Sequence, residues 1–436
     1  MEYLSVAAAQ QCVLESVLVF DAEQVNLVQS LGRVLAEEVC ANRDQPPYDI
    51  SAMDGYALRS ADLAAIPATL EIVEDIKAGD MPSRTLSTGQ CARIMTGAPM
   101  PQGADAVIRV EDTEAVSKEA LSPNSLPLAG ERDSASLREN LFDRVQINQA
   151  VKPGNDIRRL GENMFNGEVV LTPGTEITPG VVGVLATVKR AQVQVYRRPS
   201  VAILSTGNEL EGLDEPVDPN KIPNSNSYAL MAQAQALGIE PVLLGIARDD
   251  PEELEQYLRR GLEYDVLLVS GGTSVGVHDY VRPTIEALGA QMLFWRVAMK
   301  PGHPVAFGKA GEKIIFGLPG NPVSSMVCFE QLVAPALRRM MGHARTHRRT
   351  IEARLTHNIK HQPGRTEFIR VMLAKEQDGY AATSTGAQGS GMLLSMARAD
   401  GLAILPAGCN GLAAGSMVTV QLLDGTVFQD DAGFKE

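Results

Sequence analysis

Along the first 36 residues apolar side chains recur at helical spacing, through Val13, Leu14, Val17 and Leu18 and later Val25, Leu27, Val28, Leu31, Val34 and Leu35. Residues 1–36 therefore read as helix. The Pro-rich ANRDQPPYDISAMDGYAL opens a new unit. Residues 56–112 break into short β-like runs, TLEIVEDIKAG and CARIMTGAPMPQGADAVIRVED, separated by turn residues. Residues 113–150 are polar, Ser-rich and poorly patterned, and 115–142 reads as a surface insertion. Residues 151–196 return to β-like runs with Gly-Pro turns.

From Arg198 the pattern changes. SVAILSTG, PVLLGIA, DVLLVSGG, MLFWRVAM and IIFGLPG read as strands. Between them Ser227–Leu237, PEELEQYLRRGL, Tyr280–Leu288 and PVSSMVCFEQLVAPALRRMM read as helices. Alternation of this kind requires crossover connections and a mainly parallel sheet. The basic run RRMMGHARTHRR at 338–349 reads as a solvated helix end and linker. Residues 350–430 are short β runs with Gly turns, consistent with a small barrel. The expected fold class is α/β plus β, multidomain.

Composition narrows the function. At 436 residues the chain is long enough for two to four domains. Its net charge of −14 argues against a protein built to grip a nucleic-acid backbone. Five scattered cysteines with no CxxC fit a reducing compartment rather than a disulfide framework. MEYLSVAAAQQCVLESV has no basic region before its apolar stretch, and no run of 18 apolar residues exists. The expectation is a cytoplasmic protein with no secretory leader and no membrane partner.

Three segments carry candidate chemistry. In DVLLVSGGTSVGVHDYV a wholly apolar strand ends at Ser270. Gly271 and Gly272 allow a positive φ and close approach of a ligand. Thr273, Ser274 and Gly276 follow, with Asp279 placed to cap the next helix. In an open α/β sheet, ligands sit outside the carboxyl ends of the strands, where free N–H groups and the helix dipole favour an anion. The loop matches neither GxGxxG nor a Walker A pattern, which disfavours nicotinamide and P-loop chemistry. IIFGLPGNPVSS repeats the design, with Gly320, then Asn321 as cap, Pro322 at the first helical position and Ser324 in the first turn. Two such junctions suggest one extended ligand with several anionic groups. In WRVAMKPGHPVAFGK, Lys300 ends an apolar strand and is expected to face the same crevice, with Arg296, His303 and Lys309 near it in sequence.

The acids form a separate set: Asp54 in SAMDGYAL, Glu209 in STGNEL, Asp249 and Asp250 in ARDDP, and Asp279. Carboxylates combined with substrate phosphates are the usual setting for Mg²⁺. Asp249 or Asp250 also suits a cap before Pro251, and Asp279 a cap of its own helix. Thr96 precedes a Gly-Ala-Pro turn in RIMTGAPMPQGADAV. No Ser-His-Asp or Cys-His nucleophile is apparent, so no covalent intermediate is expected.

Taken together, PPYDISAMDGYAL, RIMTGAPMPQGADAVIRVED, PGNDIRRLGEN, VAILSTGNEL, GIARDDPEEL, SGGTSVGVHDY, WRVAMKPGHPVAFGK, GLPGNPVSS and TGAQGS closely resemble the molybdopterin molybdenumtransferases, the molybdenum insertases that include the gephyrin E domain. The blocks run in the family's order from residue 46 to 390. The resemblance implies an elongated homodimer of four parts. These are a composite N-terminal domain (1–48 and 146–196), an inserted β-rich domain (49–145), an α/β molybdopterin-binding domain (197–343) and a C-terminal β-barrel (350–430). It implies insertion of molybdate into adenylylated molybdopterin with release of AMP, aided by Mg²⁺.

Carried over position by position, the resemblance implies functional roles for Asp54, Thr96, Glu209, Asp249, Asp279, Lys300 and Arg370. It places the pterin on Ser270, Gly271, Gly272, Thr273, Ser274, Gly276, Asp279, Gly320 and Asn321. Molybdate falls to Lys300, Pro301, Ser324, Arg370 and Ser390, with Arg365 close to Arg370, and the metal to Glu209, Asp249 and Asp279. Asp54 and Thr96 are expected to complete the partner subunit's site. Departures are Asn163 in place of a family Asp, Arg296 and His303 in place of lysines in some members, Thr273 in place of Val, and a longer polar insertion. A molybdopterin adenylyltransferase, which is also a candidate partner, needs only the α/β domain, so the N-terminal and barrel portions favour the insertase. A non-catalytic, gephyrin-like scaffold is the other alternative, and tungstate in place of molybdate is a variant of the same chemistry.

Overall fold

The computed structural model describes residues 3–117, 142–272 and 280–423. Four of the expected site residues, Thr273, Ser274, Gly276 and Asp279, lie outside the described residues, as does most of the 115–142 segment. The chain forms two compact units, one of Met1–Glu37, Pro173–Gly183 and Arg190–Glu436, the other of Glu38–Thr172 and Val184–Lys189.

The first unit contains a six-stranded sheet in which Val242–Ala247, Val201–Thr206, Val266–Ser270 and Lys313–Leu318 lie side by side and parallel. Every residue of Val201–Thr206 and Val266–Ser270 is buried, as both faces of the sheet are covered. Leu254, Leu258, Val281 and Ile285 pack against one face. Against the other lie Leu230, Val323, Val327 and Leu337, together with Val6, Ala9 and Val13 of the N-terminal helix. Each fully buried Leu or Val contributes about 1.5–3 kcal/mol. The helix Pro251–Gly261 begins with Pro at its first turn, and the Asp250 carboxylate accepts from Glu252 N–H and Glu253 N–H. That cap contributes about 1 kcal/mol.

A second set of strands in this unit closes into a five-stranded barrel, Thr366–Glu376, Gly379–Ser384, Thr350–Leu355, Met417–Leu422 and Gly401–Leu405. Closure comes from the pairing of Gly401–Leu405 back onto Thr366–Glu376. Ala353, Leu355, Val371, Ala382, Ala403 and Val420 fill its interior. The second unit is built on another six-stranded sheet, with Ala106–Arg109 at one edge and Thr113–Ser117 at the other. The ends of the expected insertion pair here, Thr113–Ser117 against Phe142–Ile147.

Several local expectations are corrected. The N-terminal helix stops at Ser16, and Ala22–Asn26 is a strand antiparallel to Gln192–Tyr196. The unbroken Val17-Leu18-Val19-Phe20 suits an extended chain, and Gly32 adopts φ +73°, so the helical spacing of Val25 to Leu35 is coincidental. Pro179–Thr187, read as β-like, is a helix whose start is held by the Thr178 hydroxyl accepting from Val181 N–H. The parallel sheet has antiparallel additions, since Ala306–Ala310 and Gln291–Phe294 run against it. The basic run from Arg338 is only partly solvated: Arg339, Arg345 and Arg349 are exposed as expected, but two of its arginines are pinned. Arg338 donates to the Arg345 carbonyl, and Arg348 pairs with buried Glu330.

Candidate active site

The carboxyl ends of the parallel strands open into a cleft of about 860 Å³. Its lining includes Ser270, Gly271, Gly272, Gly320 and Asn321 from the two glycine junctions, and Glu209 and Asp249 from the loops after Val201–Thr206 and Val242–Ala247. The glycines are structural necessities. Gly271 has φ +96° and Gly272 φ +60°, and a Cβ on Gly271 would lie 2.5 Å from the Thr206 carbonyl oxygen. Gly271 N–H donates to the Leu318 carbonyl at 3.0 Å, which holds the two junctions side by side.

Asn226, which carries no motif, ties them further. Its Nδ2 donates to Ser270 Oγ and to the Gly320 carbonyl, both at 2.8 Å. Beneath it, Ser205, Asn224 and Ser227 form a buried hydrogen-bonded set that caps the helix Ser225–Gln235. Thr206 Oγ1 is buried at the cleft and has no hydrogen-bond partner among the described residues. Of the two acids in ARDDP, Asp250 is the helix cap and Asp249 lines the cleft, where its main-chain N–H donates to the Asn208 side chain.

No lysine or arginine lines this cleft among the described residues. Its charges are the carboxylates of Glu209 and Asp249. A phosphate-bearing ligand there needs a cation, and hard oxygen donors facing a phosphate suit Mg²⁺. The donor set fits that ion, although no group of three or more metal-ligating side chains occurs among the described residues. Asp279, the expected third acid, lies outside them, and the helix it was expected to cap has Tyr280 at that position.

Lys300 is not among the residues that line this cleft. Met299–Lys300 is a two-residue strand, and it pairs in parallel with the barrel strand Thr366–Glu376 rather than with the α/β sheet. Lys300 stands opposite Glu367, and Nζ lies 2.8 Å from Glu367 Oε1. Its side chain is 52% exposed, whereas that of Glu367 is 6% exposed. Pro301 is buried beside it, and Ser324 is buried in the first turn of Pro322–Cys328. The Ser390 carbonyl accepts from Val323 N–H, which brings the loop containing Ser390 to that same turn.

Arg370 is almost wholly buried. Nε donates to Ser395 Oγ, and Nη2 donates to the Gly389 carbonyl. Burial lowers its pKa, and the charge of Glu367 opposes this. Arg365 is exposed instead. Burial, then the charges of Arg365 and Arg296, hold His303 below the usual histidine pKa, so it is neutral at pH 7.

In the second unit Asp54 and Thr96 meet. Thr96 N–H and Thr96 Oγ1 both donate to Asp54 Oδ1 at 2.7 Å. These two bonds hold the Asp54 carboxyl below its ordinary pKa, with Arg93 adding a smaller effect. Gly55 follows because its Cα packs on the Ile108 carbonyl, where a Cβ has no room. Asn163 is exposed and contributes its main-chain N–H to the Gln45 carbonyl.

Sequence reasoning missed Asn226, Glu367 and His361. The one local signal was a carboxylate inside an apolar strand, TEFIRV.

Comparison with known proteins agrees with this architecture. Residues 4–188 match the family described as "MoeA N-terminal region (domain I and II)", 202–339 match "Probable molybdopterin binding domain", and 352–423 match "MoeA C-terminal region (domain IV)". The molybdopterin molybdenumtransferase of Bacillus subtilis is 35% identical, over 92% of this chain and 90% of that protein. That of Nostoc sp. is 36% identical, over 92% and 88%. The crystal structure of a molybdopterin biosynthesis MoeA protein from Pyrococcus horikoshii superposes with a TM-score of 0.78 at 28% identity, covering 97% of this chain and all of that one. The chain belongs to the molybdopterin molybdenumtransferase (MoeA) family, enzymes of molybdenum cofactor biosynthesis.

Proposed function

We propose that this enzyme inserts molybdate into adenylylated molybdopterin and releases AMP. The observation that supports the reading is the division of labour in the first unit: a glycine-walled cleft with carboxylates and no cation among the described residues that line it, and a lysine held on the barrel strand. The cleft lies within the usual range for ligand sites, about 300–1,000 Å³. The glycine junctions let phosphates approach the main chain, and Asn226 and Thr206 offer polar atoms to the ligand. Bound Mg²⁺ would neutralise phosphate charge between Glu209 and Asp249 and polarise the bond to AMP. Lys300 would hold the molybdate dianion and offset its repulsion from the pterin's phosphate, with Arg370 fixing the loop that carries Ser390. With no Ser-His-Asp or Cys-His arrangement among these residues, the rate gain is positioning and electrostatics.

Homodimerisation, the four-part domain division, cytoplasmic location, Mg²⁺ as the metal, and a handover from a molybdopterin adenylyltransferase belong to the same proposal. So does completion of the partner subunit's site by Asp54 and Thr96. Mixing Asp54→Ala and Lys300→Ala proteins tests that last point, with regained activity expected and none contradicting it. The overall reading is tested by incubation with adenylylated molybdopterin, Mg²⁺ and molybdate. AMP release that requires molybdate supports it. Adenylylation of molybdopterin from ATP would point to an adenylyltransferase instead.

A further inference from the structure

Behind Lys300 lies a buried array that the roles above do not use. Glu367 Oε1 faces Lys300 Nζ at 2.8 Å, and its other oxygen, Oε2, faces His361 Nδ1 at 2.7 Å. Glu367 is 4% exposed and His361 8%. An isolated carboxylate at that depth is costly, and both of its oxygens need donors. His361 Nδ1 must carry a proton to bond an ionised carboxylate. His361 Nε2 is buried and makes no hydrogen bond among the described residues. A proton on Nε2 would bury a second N–H with no partner among the described residues.

Register explains why the array is rigid. Lys300 and Glu367 are direct neighbours on adjacent strands, and Glu367 is also paired on its other side with Leu405 of the barrel. The flexible partner is the half-exposed lysine; the fixed one is the carboxylate. We propose that Glu367, itself oriented by His361, is a positioning residue that aims the Lys300 ammonium, leaving its remaining N–H donors for an oxyanion. The pair has the geometry of a cation that is placed rather than merely neutralised. An unsupported lysine on four rotatable bonds would meet molybdate in many geometries, and misplacement costs rate. The assignment of molybdate to Lys300 rests on the function proposed above; the Lys300–Glu367 coupling does not.

The test is a double-mutant cycle on the full-length protein with Glu367→Gln, Lys300→Ala and the double variant. Glu367→Gln is expected to lower molybdate-dependent AMP release about tenfold, chiefly in kcat, and Glu367→Asp to recover part of that loss. Adding Glu367→Gln to Lys300→Ala is expected to cost nothing further, because Glu367 acts through the lysine. Independent losses that multiply, or no loss in Glu367→Gln, would overturn the proposal. Thermal melting separates misfolding from mispositioning. If the wild-type protein releases no AMP with molybdate, the proposed function fails and the coupling is read without activity. Lys300 labelling by an amine-reactive reagent, followed by mass spectrometry, is expected to rise about threefold in Glu367→Gln as the amine is released from its partner. Unchanged labelling would overturn the coupling itself.

Discussion

On the proposed function, the cleft of the α/β sheet and the lysine on the barrel strand are two anion-handling devices built on opposite plans. In the cleft the features are glycine junctions, a bridging asparagine and a buried hydroxyl with no partner among the described residues, which supply carboxylates rather than cations around them. At the barrel strand one flexible cation is held by a buried carboxylate and a buried histidine. The first plan suits a large ligand with several phosphates. The second suits a small, compact dianion whose position decides the reaction. The difference teaches that a net charge of −14 says little about where anions go.

That comparison can be broken experimentally. The largest effect is expected from Lys300→Ala, a loss of about 10²–10³-fold in molybdate-dependent AMP release. Affinity for the pterin nucleotide, measured by calorimetry, should stay within about twofold. Equal loss of both would mean that the two sites are one. Gly271→Ala is the converse change. A side chain at φ +96° and against the Thr206 carbonyl should weaken pterin-nucleotide binding about tenfold. Labelling of Lys300 should not change.

Asp54 supplies a control from the second unit. Its pKa is depressed, so its charge is present above the ordinary carboxylate value and is lost only as pH falls through the lowered one. Activity that depends on Asp54 should be flat from about pH 8 to pH 5. Thr96→Val removes the hydroxyl donor while keeping the N–H, so the acid limb of the profile should move upward; an unmoved limb would contradict the role assigned to that bond. The smallest effect concerns stability alone. Asp265 lies at the end of Val266–Ser270 away from the cleft. Although burial pushes the other way, bonds from Arg197 and Ser200 bring its pKa down to about 2. Asp265→Asn should cost roughly 1 kcal/mol at pH 7, allowing for solvent screening, with ligand binding unchanged. The contribution should vanish as pH falls through about 2.

What was legible in the sequence follows from the same contrast. The cleft is made from short runs of consecutive residues, so SGG and LPGNP announced it; Asn321 stands at the N-cap position where expected, although its side chain makes no capping hydrogen bond. Asp54 and Thr96 were each visible as unusual turns, though their hydrogen bonds needed the fold. Lys300 was noticed but placed on the wrong sheet, because a strand's neighbours are set by chain segments far away in sequence. His361 and Glu367 meet it from the barrel for the same reason. The helix expected over residues 1–36 failed because period alone cannot see that Ala22–Asn26 has a partner strand near residue 194.

The most direct measurement of the central claim follows bound pterin nucleotide and released AMP side by side in wild-type and Lys300→Ala proteins, with Mg²⁺, with and without molybdate. The account predicts AMP release by the wild type only when molybdate is present, and a Lys300→Ala protein that binds the nucleotide normally but releases almost no AMP. Molybdate-independent release by the wild type, or undiminished release by Lys300→Ala, would contradict it.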